Sequence, residues 1–406
     1  MGKFTVNGGR PLVGSVRVSG SKNAALPIIF ASIITRGVSR FYNLPDITDV
    51  SDALGIVGEL GAKIWRDADV TYVDTRELKY RDLSLDRVRR IRASTYLIGS
   101  CLSRFKRAEL LPFGGCGFAQ RPIDMHLDAA EKFGAKTEGV HLSAERLHPA
   151  EISFRQPSVG ATVNALILAA GIKGESRLIG AAREPHISAL ISYLNSAGAT
   201  VSDVGDVITV VGGELRGGVA VIPGDMIEAG TYLAASIVTD GKVRVSGFDT
   251  RELAAFTSPL LSAGVIEQIS DGGVTLLGRP KRAMSVVTAA YPGFATDLQP
   301  IFSTLLAISQ GGSIRDEVWR SRFGYLSELS KLGVKYSQED NCAHILPSRI
   351  TPANLTATDL RGGAAAIILS LAAKGISEID CGELVLRGYD SLVEKLSILG
   401  ADISYV

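Results

Sequence analysis

With 406 residues the chain exceeds what one ordinary hydrophobic core serves, so two domains of roughly 200 residues each are expected. Its 43 basic residues nearly balance 42 acidic ones, which argues against a general nucleic-acid or anionic-membrane surface and makes any anion site a local cluster. The four cysteines, Cys101, Cys116, Cys342 and Cys381, show neither metal-ligand spacing nor the density of a disulfide framework. The opening Met-Gly-Lys-Phe-Thr-Val lacks a signal peptide's apolar core, and the longest apolar runs, such as Ala24 to Thr35, are short and hold a proline. These features point to a soluble cytoplasmic protein with no membrane partner.

In chain order, Thr5 to Val18 reads as an N-terminal strand. Gly20-Ser21-Lys22-Asn23 then leads into a helix from Ala24 to Ile34, which Ser21 is placed to cap while Lys22 faces an anion near the helix's positive end. A helix-like run closing on Leu-Gly-Ala-Lys or a variant, followed by a strand, recurs along the whole chain. The glycines are Gly61, Gly134, Gly198, Gly264, Gly333 and Gly400, spaced by 73, 64, 66, 69 and 67 residues. Glycine after a last helical turn is the expected left-handed cap, and the alternation in Lys63-Ile64-Trp65, Thr200-Val201-Ser202 and Asp402-Ile403-Ser404 reads as a strand.

A second marker runs out of phase: an apolar helix that stops at Gly or Lys and enters a strand, beginning at Gly37, Lys106, Gly174, Gly241, Gly312 and Gly375. Six α/β units follow, each with two helices and at least three strands, and they divide most simply into two pseudo-symmetric domains of three. The unrelieved apolar helices Val163 to Ile172 and Ala364 to Ala373 belong inside their domains. The irregular stretch from Gly217 to Glu228 is the expected crossing, giving one domain over 20–227 and another over 1–19 with 228–406. Loops of both halves, and a ligand cleft, are expected between the two domains.

The segment Leu111 to Met125 places Cys116 among three glycines, with Arg121 and Asp124 close behind, and is too rich in glycine for a regular helix or strand. Two readings compete: a loop whose thiolate is favoured by a neighbouring guanidinium, or a surface turn with an incidental cysteine. Arg92, Arg322, Arg361 and Arg387 stand where helices start or loops turn; each alone reads as a solvated surface pair, and convergence on one cleft would reverse that. Asp297, in Thr296-Asp-Leu-Gln, is either a helix cap or a general base. His126 reads as a packed or hydrogen-bonded histidine rather than a ligand. The five histidines show no paired spacing, so no metal site is expected.

Taken together, these segments resemble the UDP-N-acetylglucosamine enolpyruvyl transferases, also called UDP-N-acetylglucosamine 1-carboxyvinyltransferases, of the EPSP synthase superfamily. The resemblance rests on Ser19-Gly-Ser-Lys-Asn-Ala-Ala-Leu-Pro, Arg92-Ala-Ser, Gly114-Gly-Cys and Arg121-Pro-Ile-Asp-Met-His. It continues through Ser158-Val-Gly-Ala-Thr, Ala181-Ala-Arg-Glu-Pro, Ile227-Glu-Ala-Gly-Thr, Thr296-Asp-Leu-Gln, Ala357-Thr-Asp-Leu-Arg and Arg387-Gly-Tyr. It implies two inside-out α/β domains of three repeats each. It also implies transfer of the enolpyruvyl group of phosphoenolpyruvate to a sugar hydroxyl in peptidoglycan synthesis, with no cofactor.

By the same resemblance Lys22, Arg121 and Arg387 would hold the phosphate and Arg322 with Arg361 the carboxylate, Cys116 would donate a proton and Asp297 accept one. Asp359 would assist the tetrahedral intermediate, and Asn23 and Arg92 would orient the ligands. Arg121, Pro122, Ile123, Asp124, Met125, Gln156, Pro157, Ser158, Val159 and Val318 would line the uridine-sugar site. An epoxide of the fosfomycin type would alkylate Cys116. His186, Arg320, Phe113 and Gln156-Pro157 depart from the family's usual residues, mostly on the acceptor side, so a different nucleotide acceptor such as UMP is the alternative. A non-catalytic nucleotide-sugar sensor is the third reading.

Overall fold

The computed structural model describes residues 2–114 and 122–406. Cys116 and Arg121 lie outside the described residues. The chain forms two compact units, one of residues 20–114 with 122–223 and the other of 2–19 with 224–406.

Each unit is built by the recurring helix-to-strand pattern. All six repeat glycines take a positive φ, from 97° at Gly264, Gly333 and Gly400 to 114° at Gly198. A left-handed residue there lets the chain reverse at once into the next strand, including Lys63–Asp67, Thr200–Val204 and Asp402–Tyr405. The second marker is equally regular: strands Val38–Tyr42, Arg107–Glu109, Gly174–Ile179, Lys242–Ser246, Gly312–Asp316 and Gly375–Asp380 follow it.

Six sheets result, one per repeat, five of four strands and one of three among the described residues. In the four-stranded sheets the marker strand has a parallel neighbour on one side and an antiparallel one on the other, and the strand after the glycine forms the far edge. The second repeat lacks the parallel edge strand; its sheet is Arg107–Glu109, His141–Ser143 and Lys136–Glu138. Sheets lie outside and helices inside. The helices Met226–Val238, Gln299–Ala307 and Leu360–Ser370 pack on one another and, apart from the half-buried Met226, are buried throughout, as is most of Val159–Ala170 in the other unit. A helix that is apolar on all sides has no face to offer water, so burial of the whole cylinder drives this inversion.

Three expectations from sequence need correction. The single strand from Thr5 to Val18 is two, Lys3–Gly8 and Val13–Arg17, divided where Gly9 takes φ 93° and Pro11 offers no N–H. The first completes the sixth sheet between Gly375–Asp380 and Asp402–Tyr405; the second is the parallel edge of the fourth. The first helix spans Lys22–Ala31, with Ser32–Ile34 continuing as a 3-10 turn, and the Ser21 side chain does not cap it; the Ser21 carbonyl accepts from the amides of Ala24 and Ala25 instead.

The stretch from Gly217 to Glu228 is not irregular, since Val219–Val221 pairs with Val38–Tyr42 and a helix starts at Met226. The chain leaves its first unit at Pro223, ahead of the expected 227, because Asp225 already caps that helix through the amides of Ile227 and Glu228. Glu228 secures the other crossing: its carboxylate accepts from the Ser19 amide at 2.8 Å and from Lys395 Nζ at 2.6 Å, while Lys395 also reaches Ser19 Oγ at 2.7 Å. Burial pushes the Glu228 carboxyl up to about 7 against the pull of Lys395.

Gly333 and Gly400 share φ 97°, but an added Cβ at Gly333 would lie 2.4 Å from the Arg349 carbonyl oxygen, whereas at Gly400 it would meet open space. Gly400→Ala should therefore cost about 1–2 kcal/mol, the left-handed strain alone. Gly333→Ala should cost more, as read by equilibrium denaturation; equal losses would contradict the close approach.

Candidate active site

The candidate residues cluster at the starts of the buried helices. Lys22 and Asn23 open the first, Arg92 begins the 3-10 turn Arg92–Tyr96 that feeds Leu97–Phe105, and Ser158 caps Val159–Ala170. Asp297 lies in the 3-10 turn Thr296–Leu298 before Gln299–Ala307, and Asp359 caps Leu360–Ser370 through the amides of Arg361 and Gly362 at 3.0 Å each. A helix start presents unpaired N–H groups and the positive end of the helix dipole, so the repeat places its anion-directed ends in equivalent positions.

In the unit of 2–19 and 224–406, the structure brings Asp297, Arg322 and Arg361 together. Arg322 Nη1 donates to Asp297 Oδ1 at 2.8 Å, and Arg361 donates through Nε and Nη2 to Oδ2 at 3.3 Å each. Asp297 is not a cap: the cap position is Ala295, and the carboxylate serves two guanidiniums. Nor are Arg322 and Arg361 solvated surface cations, since they are 4% and 2% exposed. Burial pulls the Arg361 guanidinium down, and the Tyr389 oxygen and Asp297 more than reverse this, holding it above its usual range.

The Arg361 guanidinium lies 5.2 Å from the Tyr389 ring centroid, and Tyr389 in turn is hydrogen-bonded to Thr231 at 2.9 Å. Arg361 Nη1 is buried and has no hydrogen-bond partner among the described residues. A charged donor left without an acceptor is costly unless a ligand supplies one. Arg387 ends the half-buried 3-10 turn Val385–Arg387, and Val318 is 39% exposed.

The unit of 20–114 and 122–223 carries the other described candidates, each in its own local contacts. Lys22 Nζ lies 3.2 Å from Asp49 Oδ2, a carboxylate only 3% exposed. Pro122 and Ile123 precede the helix Asp124–Lys132, so Asp124 and Met125 stand in a regular helix rather than in the glycine-rich loop expected there. Asp124 pairs with Arg155, whose hydrogen bond holds the carboxyl below the usual range. Gln156 and Pro157 are exposed, and Ser158 Oγ accepts from the Ala161 amide before Val159 begins its helix. His126 is buried, and its Nδ1 meets Asn164 Nδ2 at 2.7 Å, while Asn164 also accepts from the Gly99 amide. The packed-histidine expectation holds, and burial, helped by Arg92 and opposed by Asp124, pulls the imidazole down to about 4.

Of the departing residues, Arg320 is exposed, 3.9 Å from Asp340, and His186 lies half-buried in the first turn of Pro185–Ala197. The Phe113 amide donates to the Leu111 carbonyl and the Gly114 amide to that of Val88. Sequence reasoning missed Asp49 and Asp316, both buried carboxylates that hold candidate residues. Their signal was faint: Asp49 looks like any first-turn acid, and Asp316 like the end of an ordinary strand.

A family profile described as EPSP synthase (3-phosphoshikimate 1-carboxyvinyltransferase) matches residues 6–396. The chain belongs to the EPSP synthase family. Its membership extends to full-length curated relatives: UDP-N-acetylglucosamine 1-carboxyvinyltransferase 2 of Clostridium acetobutylicum is 39% identical, with 99% of each chain covered. The enolpyruvyl transferase NikO from Streptomyces tendae is 28% identical with a TM-score of 0.89, covering 100% of this chain and 99% of its own. EPSP synthase from Acinetobacter baumannii, 15% identical with a TM-score of 0.74 over all of both chains, shares the fold. The six-repeat, two-unit α/β architecture is thus the family's, and the chain is a transferase of the enolpyruvyl class. Among the described residues no helix is long and apolar enough to cross a membrane.

The depressed His126 value sets a pH dependence. An unfolded imidazole titrates near 6.5 and the folded one near 4, so the unfolded state binds the extra proton and stability falls as pH drops from about 6.5 to 4. Over that window the wild type should lose about 3 kcal/mol more than His126→Asn, which keeps an acceptor for Asn164. Parallel denaturation curves for the two proteins at pH 7 and pH 4 check this, and an identical loss in both would refute it.

Proposed function

We propose that this enzyme transfers the enolpyruvyl group of phosphoenolpyruvate to the 3-hydroxyl of UDP-N-acetylglucosamine with release of phosphate, the first committed step of peptidoglycan synthesis. The observation that carries the acceptor is the 39% identity, over nearly the whole of both chains, to a relative named for UDP-N-acetylglucosamine. In the reaction the sugar oxygen adds to C2 of phosphoenolpyruvate while C3 gains a proton, giving a tetrahedral intermediate that still carries phosphate. Loss of phosphate from C2 and of a proton from C3 restores the double bond.

Cys116 is the proposed donor to C3 and Asp297 the proposed acceptor of the hydroxyl proton. Arg322 and Arg361 are assigned to the substrate carboxylate, and the buried, unpartnered Nη1 of Arg361 supports that assignment. Lys22, Arg121 and Arg387 are assigned to the phosphate, with Asp359 assisting the tetrahedral intermediate. Asn23 and Arg92 orient the ligands, and Arg121 to Met125, Gln156 to Val159 and Val318 line the uridine-sugar site. Fixed cations facing a charge that develops in the transition state are a preorganised electrostatic effect, and losing one such donor typically costs about a hundredfold or more in rate. The balanced charge and scarce cysteines support a cytoplasmic setting, with no nucleic-acid or membrane partner.

A second reading keeps the chemistry and changes the acceptor, for example to UMP. The departures at His186 and Arg320 favour it. A pure sensor would have no use for Cys116, Asp297 and the full set of cations.

Phosphate release from phosphoenolpyruvate, followed in parallel with UDP-N-acetylglucosamine, UMP and no acceptor, decides between them. Turnover with the sugar nucleotide, abolished in Cys116→Ser, is the expected result; turnover with UMP alone would select the second reading. Incubation with fosfomycin and the sugar nucleotide should raise the intact mass by one drug molecule in the wild type. It should leave Cys116→Ser unchanged, and an unmodified wild type would contradict the assigned thiol.

A further inference from the structure

Asp316 ends the strand Gly312–Asp316 with its side chain wholly buried, yet nothing in the proposed chemistry uses it. Its Oδ1 accepts from Thr288 Oγ1 at 2.6 Å and from the amides of Val318 and Trp319 at 2.9 and 2.7 Å. Its Oδ2 accepts from Thr296 Oγ1 at 2.7 Å. Thr296 precedes Asp297, and the same Oγ1 lies 3.2 Å from Arg322 Nη1, the atom that also donates to Asp297. Val318 to Arg322 is the loop that brings Arg322 to the carboxylate. One buried acid therefore touches both arms of the Asp297–Arg322 contact: the turn that carries the aspartate and the loop that carries the arginine.

The directions of these bonds are fixed by chemistry. A guanidinium only donates, so Thr296 Oγ1 must receive from Arg322 with a lone pair, and its single hydrogen must point elsewhere. Asp316 Oδ2 is the acceptor it meets. From this we infer that Asp316 is a positioning residue: by taking the Thr296 hydrogen it turns the hydroxyl's lone pair toward Arg322, and so orients the cation assigned to the substrate carboxylate. The inference deepens the proposed function and rests on that reading for Arg322's role.

Asp316→Asn gives a sharp test because it divides the two duties. The amide oxygen can keep the Oδ1 contacts with Thr288, Val318 and Trp319, so the loop stays anchored. The amide nitrogen, in place of Oδ2, becomes a donor to Thr296, so the hydroxyl hydrogen loses the acceptor that fixed its direction and no longer holds a lone pair toward Arg322. Thr296→Val removes the hydroxyl and with it any dependence of Arg322 on residue 316.

The expected steady-state pattern is a rise of about tenfold in the phosphoenolpyruvate KM for Asp316→Asn, and a rise of only a few-fold for Thr296→Val. The double variant should match Thr296→Val, and Thr296→Ser should behave as wild type. Strictly multiplicative effects in this cycle, or an unchanged KM in Asp316→Asn, would overturn the inference and leave Asp316 a purely structural acid. Guanidinium 15N spectra of arginine-labelled protein, with Arg322 assigned through Arg322→Lys, supply a readout independent of turnover. The Arg322 signals should move in Asp316→Asn and return toward their Thr296→Val position in the double variant. Wild type inactive with every acceptor would refute the proposed function, while the spectra would still decide the relay.

Discussion

Two guanidiniums removed from water and one carboxylate between them set the terms for the unit that carries Asp297. Arg322 and Arg361 are almost wholly buried, and desolvating a cation is tolerable only where fixed acceptors stand ready. Asp297 supplies two of those acceptors, the Tyr389 ring and oxygen help at Arg361, and Thr296 helps at Arg322. One Arg361 nitrogen has no hydrogen-bond partner among the described residues, which supports the proposal that the site takes one more anion. In the proposed reaction that anion is the carboxylate of phosphoenolpyruvate.

This arrangement follows from the repeat. Helices apolar on every side must be buried whole, so they form the centre and their sheets the outside, and polar chemistry can enter only at their ends. The helix starts Lys22, Arg92, Ser158, Asp225, Asp297 and Asp359 to Arg361 are all such ends, although they carry different residues. Repetition supplies the position, and divergence of the residue placed there supplies the chemistry. The closing strand Lys3–Gly8 and the Glu228–Lys395–Ser19 contact tie the chain's start to its last repeats, so the second unit is complete only when both ends of the sequence are in place.

Local periodicity made the repeat legible. Each glycine that ends a helix takes the left-handed conformation that its position in the sequence required, and each marker enters a strand. The candidate arginines were also visible, but their burial was not, because nothing in Ser321-Arg322-Phe323 or Leu360-Arg361-Gly362 distinguishes a buried cation from an exposed one. Burial depends on what the third and second elements away bring to the spot. Asp49 and Asp316 were missed for the same reason: each acts on a residue 20 or more positions away, Lys22 and Thr296. The split of Thr5 to Val18 into strands of two different sheets is likewise a matter of partners, since Val13–Arg17 and Lys3–Gly8 look alike until Lys242–Ser246 and Gly375–Asp380 claim one each.

The proposed role of Asp297 is that of a base held by Arg322 and Arg361, and not merely of their counter-ion. Steady-state kinetics of Asp297→Asn test it most directly. Asparagine keeps an oxygen for one guanidinium and cannot accept a proton, so kcat should fall by about a thousandfold, within the usual range for a lost general base, while the phosphoenolpyruvate KM stays within a few-fold of wild type. A kcat near the wild-type value combined with a greatly raised KM would contradict the account and make Asp297 an electrostatic prop for the two arginines.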